Sequence, residues 1–172
     1  DYPISEDMIT TIDFKTLATL ILKKEKELLC NKNVEIKSDG YTGLGKNSLT
    51  ARYKYYNLLD IVHPEIQKLK KAILTAHQTF LTALKIPLYP QLYIQCWANV
   101  MRQGEQIKAH IHRVDPHAYL GGHIVVQAQG TQTHYINPVN QINEPALYSS
   151  KNTIGKISLF PNCIPHYTDV QR

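Results

Sequence analysis

Cysteine is scarce in this chain, and its three copies form no pattern. Cys30, Cys96 and Cys163 are odd in number, widely separated and without a CxxC pair. Small secreted domains that depend on disulfides carry an even set of closely spaced cysteines. The cysteine content therefore predicts reduced thiols and a cytoplasmic localisation.

Long apolar runs and a concentrated charge are also missing. Charged residues interrupt the apolar stretches well before the length that crosses a bilayer, so we expect no membrane partner. No secretory signal is visible, although a chain that starts Asp-Tyr-Pro is expected to have been trimmed. The net charge of +5 is spread out, because residues 1–95 carry 13 basic and 10 acidic side chains and the remainder carries 6 and 4. This distribution predicts lysines on solvent-facing helix surfaces and no clear nucleic-acid patch.

Two segments with helical periodicity are followed by β-rich sequence. Apolar residues recur near the 3.6-residue period in 13–29 and again from Pro64 until Pro87 and Pro90 end the pattern. Residues 31–57 contain three glycines and are predicted to form a loop. After Pro90, the runs LYIQCWANV, GGHIVVQAQ, TQTHYINP and GKISLFP are rich in β-branched and aromatic residues and predict short strands.

This order of elements predicts an α+β fold in a single domain, residues 1–172. The N-terminal helices, within residues 1–90, are expected to pack as a support on residues 91–172. The latter are expected to form a jelly-roll barrel, the cupin-like double-stranded β-helix. A parallel sheet is disfavoured, because no second run of helices follows to cover its other face.

Histidine is concentrated in the β-rich part. Six of the eight histidines follow residue 109, and the stretch KAHIHRVDPHAYLGGH holds four of them. Residues at i and i+2 of a strand lie on one face, so His110 and His112 can point to the same place. His166, in SLFPNCIPHYT, can supply a third ligand from a distant strand. Nearby glycines and prolines fit tight turns at a barrel mouth, so these three histidines are predicted to bind a metal.

The other histidines are predicted to have structural roles. His63 stands at the start of the second helix, and His77 lies on its buried stripe with a local partner. His123 is expected to support the fold or the metal ligands. His134 alternates with Tyr135 along a strand, so only one of the two can face the cavity.

Two longer runs carry a resemblance to a known family. WANVMRQGEQIKAHIHRVDPHAYLGGHIVV and GKISLFPNCIPHYT resemble the 2-oxoglutarate- and iron(II)-dependent oxygenases of bacteria and phages over residues 93–168. Those proteins have a Trp-x-Asn strand, a glycine, a His-x-His pair, a Ser-Gly-containing strand and a Gly-x-x-x-x-Phe-Pro segment ending in histidine. The resemblance implies a dioxygenase with Fe(II) held by His110, His112 and His166. It would couple the oxidative decarboxylation of 2-oxoglutarate to hydroxylation of a peptide side chain, a nucleobase or a small metabolite.

Two features depart from the wider oxygenase superfamily. Most members have His-x-Asp, so His112 replaces a carboxylate and Asp115 is an alternative ligand. They hold the far carboxylate of 2-oxoglutarate with an arginine nine or more residues after the last histidine, whereas Arg172 follows His166 by only six. The usual last strand of the barrel is therefore expected to be missing. The candidate cosubstrate-binding residues are Asn99, Tyr135 and Arg172.

Two other functions fit the same residues. The glycine, His-x-His and distal Gly-x5-Pro spacing also resembles cupins, in which Asp115 would join the three histidines for dioxygenation or isomerisation without 2-oxoglutarate. Cys163 and Val170 stand where cupins have glycine and asparagine, so the oxygenase is preferred. A jelly-roll binding module, with histidines that serve only hydrogen bonds, is the non-enzymatic alternative. A homo-oligomer is compatible with all three.

Overall fold

Two α-helices and two β-sheets are the main elements of the described chain. The computed structural model describes residues 2–112, 117–139 and 141–172. Its helices are α1, Phe14–Cys30, and α2, Pro64–Ala83, with short 3-10 turns at Thr50–Tyr55 and Leu58–Asp60 between them. Its strands are β1 Ser5–Met8, β2 Leu120–Ile124, β3 Gln132–Ile136, β4 Leu147–Lys151, β5 Lys156–Pro161 and β6 His166–Thr168.

Both helices begin where the sequence predicts, because each has a polar side chain before its first turn. The Asp13 carboxylate accepts hydrogen bonds from the backbone N–H groups of Lys15 and Thr16 at 3.1 and 3.2 Å. His63 Nδ1 accepts from the Glu65 N–H at 3.0 Å, which confirms its predicted place at the start of α2. The helices share one hydrophobic core with strand β5, and its buried members include Leu17, Ile21, Ile66, Leu69, Phe80, Ile157 and Leu159.

The strands form two antiparallel sheets of three strands each. The first has the order β1-β5-β2 and the second the order β4-β3-β6. Residues 104–110 run beside β6 and extend the second sheet, since Gly104 N–H donates to Gln171 at 2.8 Å and His110 pairs with His166. The α+β class is therefore confirmed. None of the described helices has the length and apolar character needed to cross a membrane.

Side chains that alternate along β5 point into two different interiors, one on each face of the strand. Ile157 and Leu159 belong to the core beneath the helices. Phe160, on the other face, is fully buried and packs edge-on against Tyr135 of β3, with ring centroids 5.3 Å apart. Because β5 and β3 belong to different sheets, the sheets face one another across this contact. The rings of His112, His123 and His166 pack against Phe160 in this space.

Four details differ from the sequence-based predictions. LYIQCWANV is not a strand, because its backbone bonds go to the irregular turns: Cys96 C=O accepts from Leu58, and Ala98 N–H donates to the Tyr56 hydroxyl at 2.7 Å. Strand β1 lies inside the segment that was expected to be helical, and β4 was not predicted. His77 is half-buried on α2, but its partner is distant in sequence, since its Nε2 lies 2.5 Å from the Tyr119 hydroxyl.

Candidate metal centre

Backbone pairing brings the three predicted ligands together. His166 is the first residue of β6, and His110 lies opposite it, with reciprocal N–H to C=O bonds of 3.2 and 3.1 Å. His112 follows two residues later on the same side. One nitrogen from each ring lies within 4.8 Å of the other two. The predicted convergence of two separate chain segments is present.

The three rings form a compact cluster with one open side. The His166 ring centroid lies 4.4 Å from that of His110 and 5.0 Å from that of His112, and the latter two are 5.7 Å apart. Imidazole ligands about 2.1 Å from one cation require nitrogens about 3–3.5 Å apart, so small ring rotations close the set. His166 is 8% exposed, whereas His110 and His112 are half-buried, so solvent reaches the cluster from their side.

Hydrogen bonds fix which nitrogen can bind a metal. His110 Nδ1 lies 2.8 Å from the Lys108 carbonyl oxygen, and His166 Nδ1 lies 3.0 Å from that of Ile164. A carbonyl oxygen only accepts, so both Nδ1 atoms carry the proton and donate. In a neutral ring, Nε2 then keeps its lone pair. This is the arrangement that orients histidine ligands in metal sites.

His112 is positioned by packing. Its ring lies edge-on to Trp97, 5.7 Å between centroids, and 6.0 Å from Phe160. Gly121 on β2 leaves the space for it, since a Cβ there would lie 2.5 Å from His112 Nδ1. The glycine at position 121 is thus explained by the close approach of the His112 ring, whereas a Cβ at Gly122 would lie 2.7 Å from the Ser158 carbonyl oxygen of β5.

Burial keeps two of the ligands neutral near neutral pH. Loss of hydration, together with the neighbouring His110, lowers the pKa of His112 to about 4. Loss of hydration also lowers the pKa of His166 to about 3, against the opposing effect of its bond to Ile164. Metal binding requires the neutral imidazole, so the surroundings already favour the binding form.

Comparison with known proteins adds no identification. No protein-family model matches this chain, and no curated protein sequence matches it. The geometry of the histidines is therefore the main evidence about function. Asp115, the alternative ligand, lies outside the described residues.

The three candidate cosubstrate residues lie in different places. Tyr135 is fully buried beside the cluster, with its ring centroid 6.2 Å from that of His166. Asn99 is exposed, and its side-chain oxygen accepts a 2.7 Å bond from the Thr50 hydroxyl. Arg172 is exposed, and its charge acts on Asp169. Only Tyr135 of these residues is placed by a ring contact next to a predicted metal ligand.

Polar residues around Tyr135 were not identified as a group from the sequence. The Tyr135 hydroxyl lies 3.3 Å from His123 Nε2, and the Ser158 hydroxyl on β5 is fully buried without a hydrogen-bond partner among the described residues. Burial raises the pKa of Tyr135, and it lowers the pKa of His123 to about 4. His123 was expected only to have a supporting role. Its position two residues after Gly121, on the same face of β2, is the signal that could have placed it here.

Proposed function

We propose that this chain is an Fe(II)-dependent oxygenase of the 2-oxoglutarate class. The observation that carries the proposal is the convergence of His110, His112 and His166, two of them with Nδ1 held by carbonyl oxygens and Nε2 left for a cation. Three ligands on one side of an iron ion leave the opposite side for other molecules. The jelly-roll topology and Fe(II) as the resident metal are parts of this proposal.

The neutral ligand set favours an anionic cosubstrate. When bound, Fe(II) would supply the oxygen chemistry that converts a C–H bond into an alcohol. Three imidazoles add no negative charge, so the cation would keep its full charge toward a carboxylate ligand. His112 in place of the usual carboxylate therefore strengthens the attraction for 2-oxoglutarate while it weakens the intrinsic hold on the metal.

The residues around the cluster have separable roles in this proposal. Phe160 covers the inner side of the cluster, with its ring centroid 4.7 Å from that of His166, and so excludes water there. Tyr135 offers a hydroxyl in the same interior as a donor to a carboxylate. Substrate would approach from the side of His110 and His112, because these rings are the more exposed.

A cupin-type oxygenase that acts without 2-oxoglutarate is the second candidate. The position of Arg172 favours this second candidate. The Gln171 N–H donates to the carbonyl oxygen of Glu105 at 2.8 Å, and Glu105 lies five residues before His110. Arg172 therefore lies at the end of the pairing between residues 104–110 and 166–171 that is farthest from the histidines. The six extended residues from His166 to Arg172 span roughly 20 Å, which is too far for one molecule of 2-oxoglutarate to contact both the metal and Arg172. Under this alternative Asp115 would join the same three histidines as a ligand, and 2-oxoglutarate is not consumed.

Succinate production tests the proposal directly. The protein is incubated in air with Fe(II), ascorbate and 2-oxoglutarate, and succinate is measured over time. We expect metal-dependent succinate that His166→Ala abolishes and His63→Asn preserves, because asparagine retains the helix cap away from the cluster. Fe(II) binding without succinate would favour the cupin-type candidate. Absence of Fe(II) binding would contradict both enzymes and favour the binding module.

A further inference from the structure

A Ser-His-Asp arrangement lies on the outer face of the second sheet, separate from the metal centre. His134 of β3 has both ring nitrogens engaged: Nδ1 lies 2.7 Å from Ser149 Oγ and Nε2 lies 2.7 Å from Asp169 Oδ1. Ser149 is directly opposite His134 in the pairing of β3 with β4. Tyr135 faces the interior, so by alternation His134 and Ser149 face outward.

The donors and acceptors in these two hydrogen bonds are those expected for a nucleophile and its base. The pKa of Asp169 is lowered, chiefly by its bond to His134, so it is a carboxylate that only accepts. Nε2 must therefore carry the imidazole proton. Nδ1 of the neutral ring is then the acceptor, and the Ser149 hydroxyl donates to it. A base that accepts from a hydroxyl and is oriented by a third group has the relationship found in the triad, here with Nδ1 and Nε2 exchanged relative to the usual pairing.

Both partners of the base are held in place. Asp169 Oδ2 accepts from the Gln132 N–H at 2.8 Å, which orients the carboxylate. The His134 ring stacks on Tyr167, with centroids 4.8 Å apart and planes at 28°. The His134 side chain is 12% exposed, whereas Ser149 is exposed. The base is thus packed and the hydroxyl is accessible to a reagent.

Strand geometry places a backbone donor beside the Ser149 oxygen. Asn137 N–H bonds to Ala146 C=O, and Asn152 N–H bonds to Thr131 C=O, at the two ends of the β3 and β4 pairing. Hydrogen-bonded pairs recur every second residue in an antiparallel ladder, so Ser149 and His134 form a non-bonded pair. The Ser149 N–H consequently points away from β3, toward the edge that β4 forms in this sheet. It can donate to an oxyanion that develops on a carbonyl attacked by its own side chain.

We propose that Ser149, His134 and Asp169 form a nucleophilic site that hydrolyses esters with a short apolar acyl group. The Ser149 oxygen bonds to the carbonyl carbon while its proton moves to His134 Nδ1, and the alcohol leaves with that proton. Water then attacks the acyl-Ser149 ester with the same base, which releases the acid and restores the serine. The neighbours of this pair on the outer face, Leu147 and Ile136, offer an apolar surface for the acyl group. This site is independent of the metal centre.

Covalent labelling tests the site without a natural substrate. The full chain is treated with diisopropyl fluorophosphate, which forms a P–O bond to an activated serine with loss of HF, and the adduct is located by peptide mass spectrometry. A parallel assay follows p-nitrophenyl acetate hydrolysis. We expect a single adduct on Ser149, loss of label in Ser149→Ala, and at least a tenfold slower reaction in Asp169→Asn, which removes the group that sets the His134 tautomer.

Controls separate this site from background reactivity. Ser38→Ala removes another exposed serine and should leave labelling and hydrolysis unchanged. Circular dichroism identifies any variant that fails to fold, and EDTA should have no effect on labelling. Labelling that is equal in Ser149→Ala and the native chain, or that never reaches Ser149 in folded protein, would overturn the proposal.

Discussion

The position of the His112 ring depends on the absence of a side chain at Gly121. In Gly121→Ala the new Cβ would lie 2.5 Å from His112 Nδ1 and 3.0 Å from Phe160 Cε2, so the ring must move. We expect metal affinity to fall about 10–100-fold, as it does when support for a ligand is lost. Titration with Co(II), followed by visible absorption, measures the change.

Gly40→Ala is the control for this substitution. Gly40 has a positive φ of 73°, but a Cβ there would meet nothing within 4 Å. It should cost about 1 kcal/mol of stability through backbone strain and leave metal affinity unchanged. Equal metal affinities for Gly121→Ala and the native chain would show that His112 does not contribute to binding.

Asp39 organises the loop that packs beside Lys108. Its carboxylate accepts from the N–H groups of Tyr41, Gly43 and Gly45 at 2.9 to 3.0 Å. These bonds, that of Gly45 first, lower its pKa from 3.8. Asp39→Asn should reduce the free energy of unfolding by about 1 kcal/mol at neutral pH, because a charged acceptor is lost.

The pH dependence of this difference has a definite sign. A lowered pKa in the folded state means that the carboxylate stabilises the fold above pH 3.8 and loses this contribution as the pH falls through the folded value. The native and Asp39→Asn unfolding curves should therefore differ at pH 6 and converge in strong acid. A difference that grows on acidification would refute the assignment.

An ion pair connects helix α1 to the segment that leads to His110. Glu25 is buried on α1, with its side chain 8% exposed, and both its oxygens accept from Arg102 at 2.7 and 3.1 Å. Arg102 is 62% exposed, so solvent screens the pair in part. We expect a coupling of about 1–2 kcal/mol, between the values for exposed and buried pairs. A double-mutant cycle of Glu25→Gln and Arg102→Ala in urea measures it, and a coupling near zero would refute the proposed link.

Helices were easier to predict than strands for a physical reason. The apolar period and the caps at Asp13 and His63 are local, and they placed both helix starts. Strand β1 has the sequence SEDM, whose charged residues carry no apolar alternation, and it becomes a strand only because β5 offers it a free edge. The segment LYIQCWANV has strand composition, but its backbone partners are irregular turns. Such pairings depend on distant residues that no local pattern contains.

The metal ligands could be predicted because their spacing is itself local. The i and i+2 rule placed His110 and His112 on one side, and the second cluster supplied His166. Their surroundings could not be predicted in the same way, since Gly121 and Phe160 are brought to the rings by strand register. The outer arrangement of Ser149, His134 and Asp169 combines three strands or strand ends and has no spacing signal.

A metal held by these ligands would join two distant parts of the chain. His110 and His166 are 56 residues apart, so bound cation would stabilise the native state over the unfolded chain. At 100 times the dissociation constant this adds about 2.7 kcal/mol, or roughly 5–10 °C in Tm for a domain of this size. Differential scanning calorimetry with Fe(II) under nitrogen should show the increase in the native chain and in His63→Asn. The same increase in His166→Ala would contradict this linkage.

Anomalous diffraction from crystals soaked with Fe(II) without oxygen locates the bound metal directly. At the iron edge, we expect one strong peak within about 2.0–2.2 Å of Nε2 of His110, His112 and His166. No peak at this position, or a strong peak on another histidine such as His134, would contradict the proposed metal site.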